Sequence, residues 1–257
     1  MNSFRACFYL VSACALLTMA FGTHARAEAD ASSCLELPIP ASGLPEELRA
    51  TPEGSVQTRI ALVIGNSAYR HITALRNPGN DAEAVAYSFQ RLGFQTVLLL
   101  DATADAIMGC KDHLLGKYPE ADIGVLYYAG HGIQINDTNY LLGVDASQAE
   151  GASGLVDVSE LVEQFQRRWK ATLVFLDACR DNPYGDDRPQ GLSPSTARGA
   201  VRITHTGELV TDPRVQASGM FIAYSTSPNA TATDGAGNMS PFASAFAEAV
   251  ISPGISV

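Results

Sequence analysis

Ile60-Ala61-Leu62-Val63-Ile64-Gly65 is an unbroken apolar run that stops at a glycine. A run this short reads as a strand buried on both faces, because a half-exposed strand would alternate with polar residues. Downstream, Asp81 to Leu92 carries Ala82, Val85, Ala86, Phe89 and Leu92 at helical spacing, with Gly93 as the stop. Phe94–Leu100 repeats the strand pattern and Ala104–Leu115 the helical one. Ile123–Ala129, Thr172–Leu176 and Met220–Tyr224 read as further strands, Ser159–Trp169 and Phe242–Val250 as further helices. Strands alternating with helices over short connections predict an α/β fold, with a mainly parallel central sheet flanked by helices.

The chain has 257 residues, 46% of them hydrophobic and 17% charged, enough for one substantial core. Its formal charge of −10, with no cluster of Lys and Arg, argues against a nucleic-acid partner. Residues 1–27 read as a secretory signal, with Arg5 ahead of an apolar stretch from Ala6 to Gly22 and Ala25-Arg26-Ala27 as the cleavage site. An uncleaved anchor ranks second, since the stretch is short for a span. Acylation at Val11-Ser12-Ala13-Cys14 ranks last, because strongly apolar sequence continues beyond it. The expectation is an exported protein, periplasmic or secreted, with no membrane attachment after signal removal. Residues 28–58, rich in Ala, Pro, Ser and Glu, read as a linker or N-terminal arm, and 59–257 as the domain. The abrupt stop after Ser252-Pro253-Gly254 reads as a piece of something longer.

Cys7 and Cys14 would leave with the signal, so Cys34, Cys110 and Cys179 remain. An odd count in an oxidising compartment implies a free thiol, with a Cys34–Cys110 bridge as one way to pair the others. The sequence alone does not bring those two together.

In open parallel sheets, ligands bind at the carboxyl ends of the strands. After one strand comes Tyr127-Tyr128-Ala129-Gly130-His131-Gly132. A histidine between glycines leaves room for a substrate backbone beside the ring, and Gly132 can turn its N–H toward a carbonyl. After another comes Asp177-Ala178-Cys179-Arg180-Asp181, where a thiol at a strand end is placed for attack with a histidine to take its proton. Alone, His131 reads as a structural turn residue and Cys179 as a small buried hydrophobe. Together, at two strand ends and with polar residues around the thiol, they read as a catalytic dyad.

With these segments in hand, residues 59–250 resemble a caspase-homology domain, in particular the bacterial caspase-like and metacaspase branch. Ala61 to Asn66, Asn80-Asp81-Ala82, Tyr127 to Gly132 and Asp177 to Arg180 carry the likeness, and Tyr224-Ser225-Thr226 and Asp234-Gly235 extend it. Caspases have a Gln-Ala-Cys signature with a histidine about 50 residues upstream; here the triplet is Asp-Ala-Cys and the interval is 48. The resemblance implies the caspase–haemoglobinase fold and cysteine endopeptidase activity through Cys179 and His131. It also implies an oxyanion hole from the backbone N–H groups of Gly132 and Cys179.

Caspases line the pocket for the residue they cut after with a Gln two places before the nucleophile and with Arg residues, and they select Asp. Here Asp177 takes the Gln position, Asp234 aligns where a caspase carries Arg, and Asp81 resembles the pocket acid of metacaspases. An acidic pocket repels Asp and attracts Arg or Lys, by roughly 4 kcal/mol for unit charges about 4 Å apart at an effective dielectric near 20. Arg is favoured over Lys for its bidentate fork. The blander readings are a helix cap for Asp81, a turn for Asp177 and ordinary loop composition for Asp234.

The expected partners are therefore proteins or peptides with basic residues. The Pro- and Gly-rich stretch 181–219 carries Arg188, Arg198, Arg202 and Arg214, which makes it a candidate for self-cleavage or simply a solvated loop. No cofactor is expected; calcium activation, through acids such as Asp186-Asp187, stays open. A catalytically silent caspase-homology module that binds peptides is the main rival. A zinc enzyme fits poorly, since His71, His113, His131 and His205 lack close ligand spacing. A nucleotide-binding protein fits worse, because no phosphate loop follows the first strand.

Overall fold

A computed structural model of the chain describes residues 34, 36–38, 57–135, 138–147, 153–178, 219–225 and 237–252. The signal segment 1–27, Cys179, Asp234 and all but the last residue of the 181–219 loop lie outside the described residues. In chain order the elements begin with β1 (Glu36–Leu37), β2 (Arg59–Gly65), α1 (Pro78–Arg91), β3 (Gln95–Leu100), α2 (Ala104–Lys117) and β4 (Ile123–Gly130). They continue with β5 (Gly132–Ile135), β6 (Thr138–Leu142), β7 (Leu155–Asp157), α3 (Val158–Gln166), β8 (Ala171–Ala178), β9 (Gly219–Tyr224) and α4 (Pro241–Val250).

The main sheet has the order β1-β3-β2-β4-β8-β9, parallel throughout except for the edge strand β1. In β2, Ile60 to Ile64 have no exposed surface at all, as a strand covered on both faces requires. Its side chains divide by alternation. Ile60, Leu62 and Ile64 join the core with Ile107 and Leu114 of α2 and Leu161 and Phe165 of α3. Ala61 and Val63 join the other core with Ala82, Val85, Ala86 and Phe89 of α1, against which Phe242 and Phe246 of α4 pack. Burying each such large aliphatic side chain is worth about 1.5–3 kcal/mol relative to leaving it in water. The result is three layers: helices, sheet, helices.

Gly65 sets how near α1 lies to the strand ends. A Cβ there would sit 2.4 Å from the Pro78 carbonyl oxygen, so only glycine lets the helix start directly over the sheet. The helix begins at Pro78 with Asn77 as its N-cap, one turn earlier than the spacing of apolar residues indicates. Asp81 therefore lies inside the helix, its N–H donating to the Asn77 carbonyl at 2.9 Å, and is not the cap.

Two features were not legible beforehand. The stretch read as an N-terminal arm contains β1, paired with the edge of β3, and a disulfide between Cys34 and Cys110 ties it to α2. Gln90 Nε2 also donates to the Pro38 carbonyl at 2.7 Å, and Lys117 pairs with Glu36. Second, β5, β6 and β7 form a small antiparallel sheet immediately after His131.

Candidate functional site

The site begins with strand register. β4 and β8 are parallel neighbours, with Ala129 opposite Asp177 and Gly130 opposite Ala178. Neighbouring strands lie about 4.8 Å apart. His131 is the next residue after Gly130, and Ala178 is the last described residue before Cys179 in sequence. The structure thus brings His131 and Ala178 to one edge of the sheet; Cys179 itself lies outside the described residues.

The backbone of His131 is clamped by two tyrosines. Its N–H donates to the Tyr69 hydroxyl at 2.7 Å, and its carbonyl accepts from the Tyr128 hydroxyl at 2.7 Å. The two hydroxyls are 3.1 Å apart. A carbonyl can only accept, so Tyr128 directs its proton to that carbonyl or to Leu142 O, at 2.9 Å, and can receive the proton of Tyr69. Burial, first of all, and the neighbouring Tyr69 push the Tyr128 phenol well above its usual range, so it stays neutral. Gly130 serves this clamp. It sits at φ +153°, and a Cβ would lie 2.6 Å from the Tyr69 hydroxyl and 2.7 Å from that of Tyr128. The space beside this glycine is filled by the tyrosines rather than left for a substrate backbone, which corrects that part of the sequence reading.

The imidazole is oriented as well. Nε2 of His131 lies 2.8 Å from the Thr73 carbonyl oxygen, and the Tyr69 ring packs against it with centroids 4.7 Å apart. Because a carbonyl cannot donate, the contact selects the Nε2–H form of a neutral ring and leaves the lone pair on Nδ1. Thr73 belongs to the loop after β2, which is folded by its own bonds and by Asp101. The Asp101 carboxylate accepts from the N–H groups of Ser67 and Ala68, both at 2.8 Å. Asn66 braces the base of the loop: fully buried, it donates to the carbonyls of Ala102 and Leu142 and accepts from Ala102 N–H.

Of the three acids expected to select substrate, two are described, and they meet. Asp81 is 1% exposed and Asp177 8%. Ser240 joins them: its N–H donates to Asp81 Oδ1 at 2.8 Å and its hydroxyl to Asp177 Oδ2 at 2.5 Å. Neither carboxylate is used as a cap or within its own turn in these contacts. Ser240 is itself the N-cap of α4, its Oγ accepting from Ala243 N–H at 3.0 Å. Asp81 stands in the first turn of α1 and Asp177 binds the cap of α4, so the positive ends of two helices face buried carboxylates. Ser240 and the Tyr69–Tyr128 clamp escaped the sequence reading. Ser240-Pro241 is a cap-and-first-turn signal that marks the helix start, but nothing local points to the acids.

Gly132 opens β5 and is buried. Together with Ala178, Leu176, Asn139 and Tyr224 it lines a small hollow on the opposite side of the strand ends from the acids. Gly132 and the residue preceding Cys179 therefore border the same space.

A model of the caspase domain, Peptidase_C14, matches residues 58–256. Among curated proteins, the human mucosa-associated lymphoid tissue lymphoma translocation protein 1 is 29% identical over 163 residues, covering 62% of this chain and 20% of that protein. Its homologue in Mus musculus is 29% identical over 162 residues, with the same coverage. The chain thus spans about one fifth of the length of these relatives. Among solved structures, protein GSU0716 from Geobacter sulfurreducens aligns with a TM-score of 0.40 and 25% identity, over 48% of this chain and 50% of that one. Taken with the layered parallel sheet and the strand ends described above, the family match shows that this chain belongs to the peptidase C14 family of caspase domains.

Proposed function

We propose that the protein is a cysteine endopeptidase that cuts after Arg or Lys, with Cys179 as nucleophile and His131 as its acid–base partner. The observation that carries this reading is the register of β4 and β8, which sets Gly130 opposite Ala178 directly before the two residues. The Thr73 contact supports His131 as base, since it turns the basic Nδ1 away from that carbonyl. The thiol attacks the substrate carbonyl as its proton passes to the imidazole, and the proton is then delivered to the leaving amine. Gly132 and Cys179 N–H groups would hold the oxyanion.

The specificity reading rests on Asp81 and Asp177, buried together on Ser240 at the strand ends; Asp234 would complete the pocket. Two carboxylates there would reject an Asp side chain and favour a cation. The Cys34–Cys110 bridge supports export to the periplasm or beyond, where disulfides persist, and leaves Cys179 as the odd thiol once Cys7 and Cys14 are removed. Substrates would be proteins or peptides with basic residues, the 181–219 loop among them. The test is a fluorogenic panel with Arg, Lys or Asp at the cleaved position, run on the protein and on Cys179→Ala. Cleavage after Arg and Lys that vanishes in the variant supports the reading. Preference for Asp overturns the specificity, and no Cys179-dependent hydrolysis leaves the silent peptide-binding module.

A further inference from the structure

We propose that Tyr127 determines specificity in the basic pocket: its phenolic oxygen accepts one N–H of an arginine guanidinium held by Asp81 and Asp177, so that Arg is preferred to Lys. The inference rests on the reading of those acids as the pocket for the residue cut after.

Tyr127 lies on β4, with Val63 of β2 and Phe175 of β8 beside it in register. Its side chain shares the core on the α1 and α4 face with both of those residues. Asp177 follows Phe175 by two residues on β8, so strand alternation puts it on this same face, one row nearer the strand ends. Asp81 reaches that face from α1. Tyr127 is thus the polar side chain in the row next to the two acids. Burial first, then the charges of Asp177 and Asp81, push its phenol well above the usual range, which keeps it neutral.

The hydroxyl is fully buried and has no hydrogen-bond partner among the described residues. A buried hydroxyl left unpaired is a standing penalty, and a core that required only ring volume would take phenylalanine there, as at Phe89, Phe175 and Phe246 nearby. A donor entering from outside the chain would supply the missing partner.

Donor counting says what. A guanidinium has five N–H groups, of which two carboxylates engage four bidentately; a neutral phenol oxygen suits the fifth. An ammonium has three, which the carboxylates can satisfy alone. Removing the phenol oxygen therefore affects arginine far more than lysine.

The experiment compares wild type with Tyr127→Phe on two fluorogenic peptides that differ only in Arg or Lys at the cleaved position. The expected result is a loss of about tenfold in kcat/KM for the Arg peptide, the size of one hydrogen bond to a charged group, against a much smaller loss for Lys. Thermal unfolding should occur at the same or a higher temperature, since the variant removes only an unpaired hydroxyl. An Arg-to-Lys ratio unchanged within about twofold overturns the proposal. So does a lowered unfolding temperature, which would reveal a structural partner for the hydroxyl. If wild type cuts after neither residue, the acidic-pocket reading fails and this one falls with it; if wild type prefers Arg and the variant does so equally, only this one fails.

Discussion

Asp81 and Asp177 come from different layers of the fold, a helix and a strand, yet both are hydrogen-bonded to the same residue, Ser240. That convergence joins three separate pieces of chain, the start of α1, the end of β8 and the cap of α4, into one acidic centre. The net charge of a protein says little about where its acids act. Here two of them are withdrawn from solvent and oriented by donors on Ser240.

Asp177→Asn is expected to remove most of the electrostatic attraction for a basic side chain while keeping size and one acceptor. At roughly 4 kcal/mol for a close pair in this kind of environment, kcat/KM for an Arg peptide should fall on the order of 100-fold or more. Steady-state kinetics on the Arg peptide provides the check; a change of less than about fivefold would remove Asp177 from the pocket.

Tyr69→Phe tests the clamp on the histidine. The variant leaves the His131 N–H without its acceptor and frees the Tyr128 hydroxyl from its neighbour. A loss of about 1–3 kcal/mol in stability is expected from urea unfolding, with kcat down about tenfold and KM little changed, because the ring is misaligned rather than the pocket altered. An unchanged kcat would mean that the Thr73 contact alone orients the imidazole.

Much of this arrangement is visible in the bare sequence, and the parts that are not share a cause. Ile60 to Gly65 and Ile123 to Ala129 are read correctly because burial on both faces leaves no choice of residue type. His131 and Cys179 stand out because they follow such runs. By contrast, Gly132-Ile133-Gln134-Ile135 and Thr138 to Leu142 form strands only because they pair with each other and sit on the main domain; as isolated stretches they are too short and mixed to declare a period. Glu36–Leu37 is a strand because the edge of β3 accepts it and Cys34 is bonded to Cys110. The Asp81–Ser240–Asp177 link spans the whole domain, and no local pattern encodes it.

Cys34→Ser combined with Cys110→Ser is expected to destabilise the protein by about 2–4 kcal/mol, since the bridge closes a long loop across a separation of 76 residues. Activity should be nearly retained, because the bridge ties the β3 edge and α2 rather than the ends of β4 and β8. Urea titration of the wild type with and without reductant, beside the double variant, reads this directly: reductant should lower wild type to the level of the variant and leave the variant unmoved.

Asn66→Ala removes three hydrogen bonds from a side chain with no solvent exposure; the Ala102 N–H loses its acceptor, while the carbonyls of Ala102 and Leu142 each keep one other donor, Val144 N–H and the Tyr128 hydroxyl. A loss of about 3 kcal/mol or more is expected, accompanied by looser packing of the loop that presents Thr73. Chemical denaturation measures the first effect and amide exchange over residues 67–77 the second; full stability in the variant would remove Asn66 as the brace.

The most direct measurement is covalent. A peptidyl acyloxymethyl ketone ending in arginine, incubated with the protein and mapped by mass spectrometry, should give a single adduct on Cys179. The adduct should disappear in His131→Ala and should not form with the matching aspartyl ketone. Labelling at another residue, or equal labelling by the aspartyl reagent, would contradict the convergence of a nucleophile, a base and an acidic pocket on these strand ends.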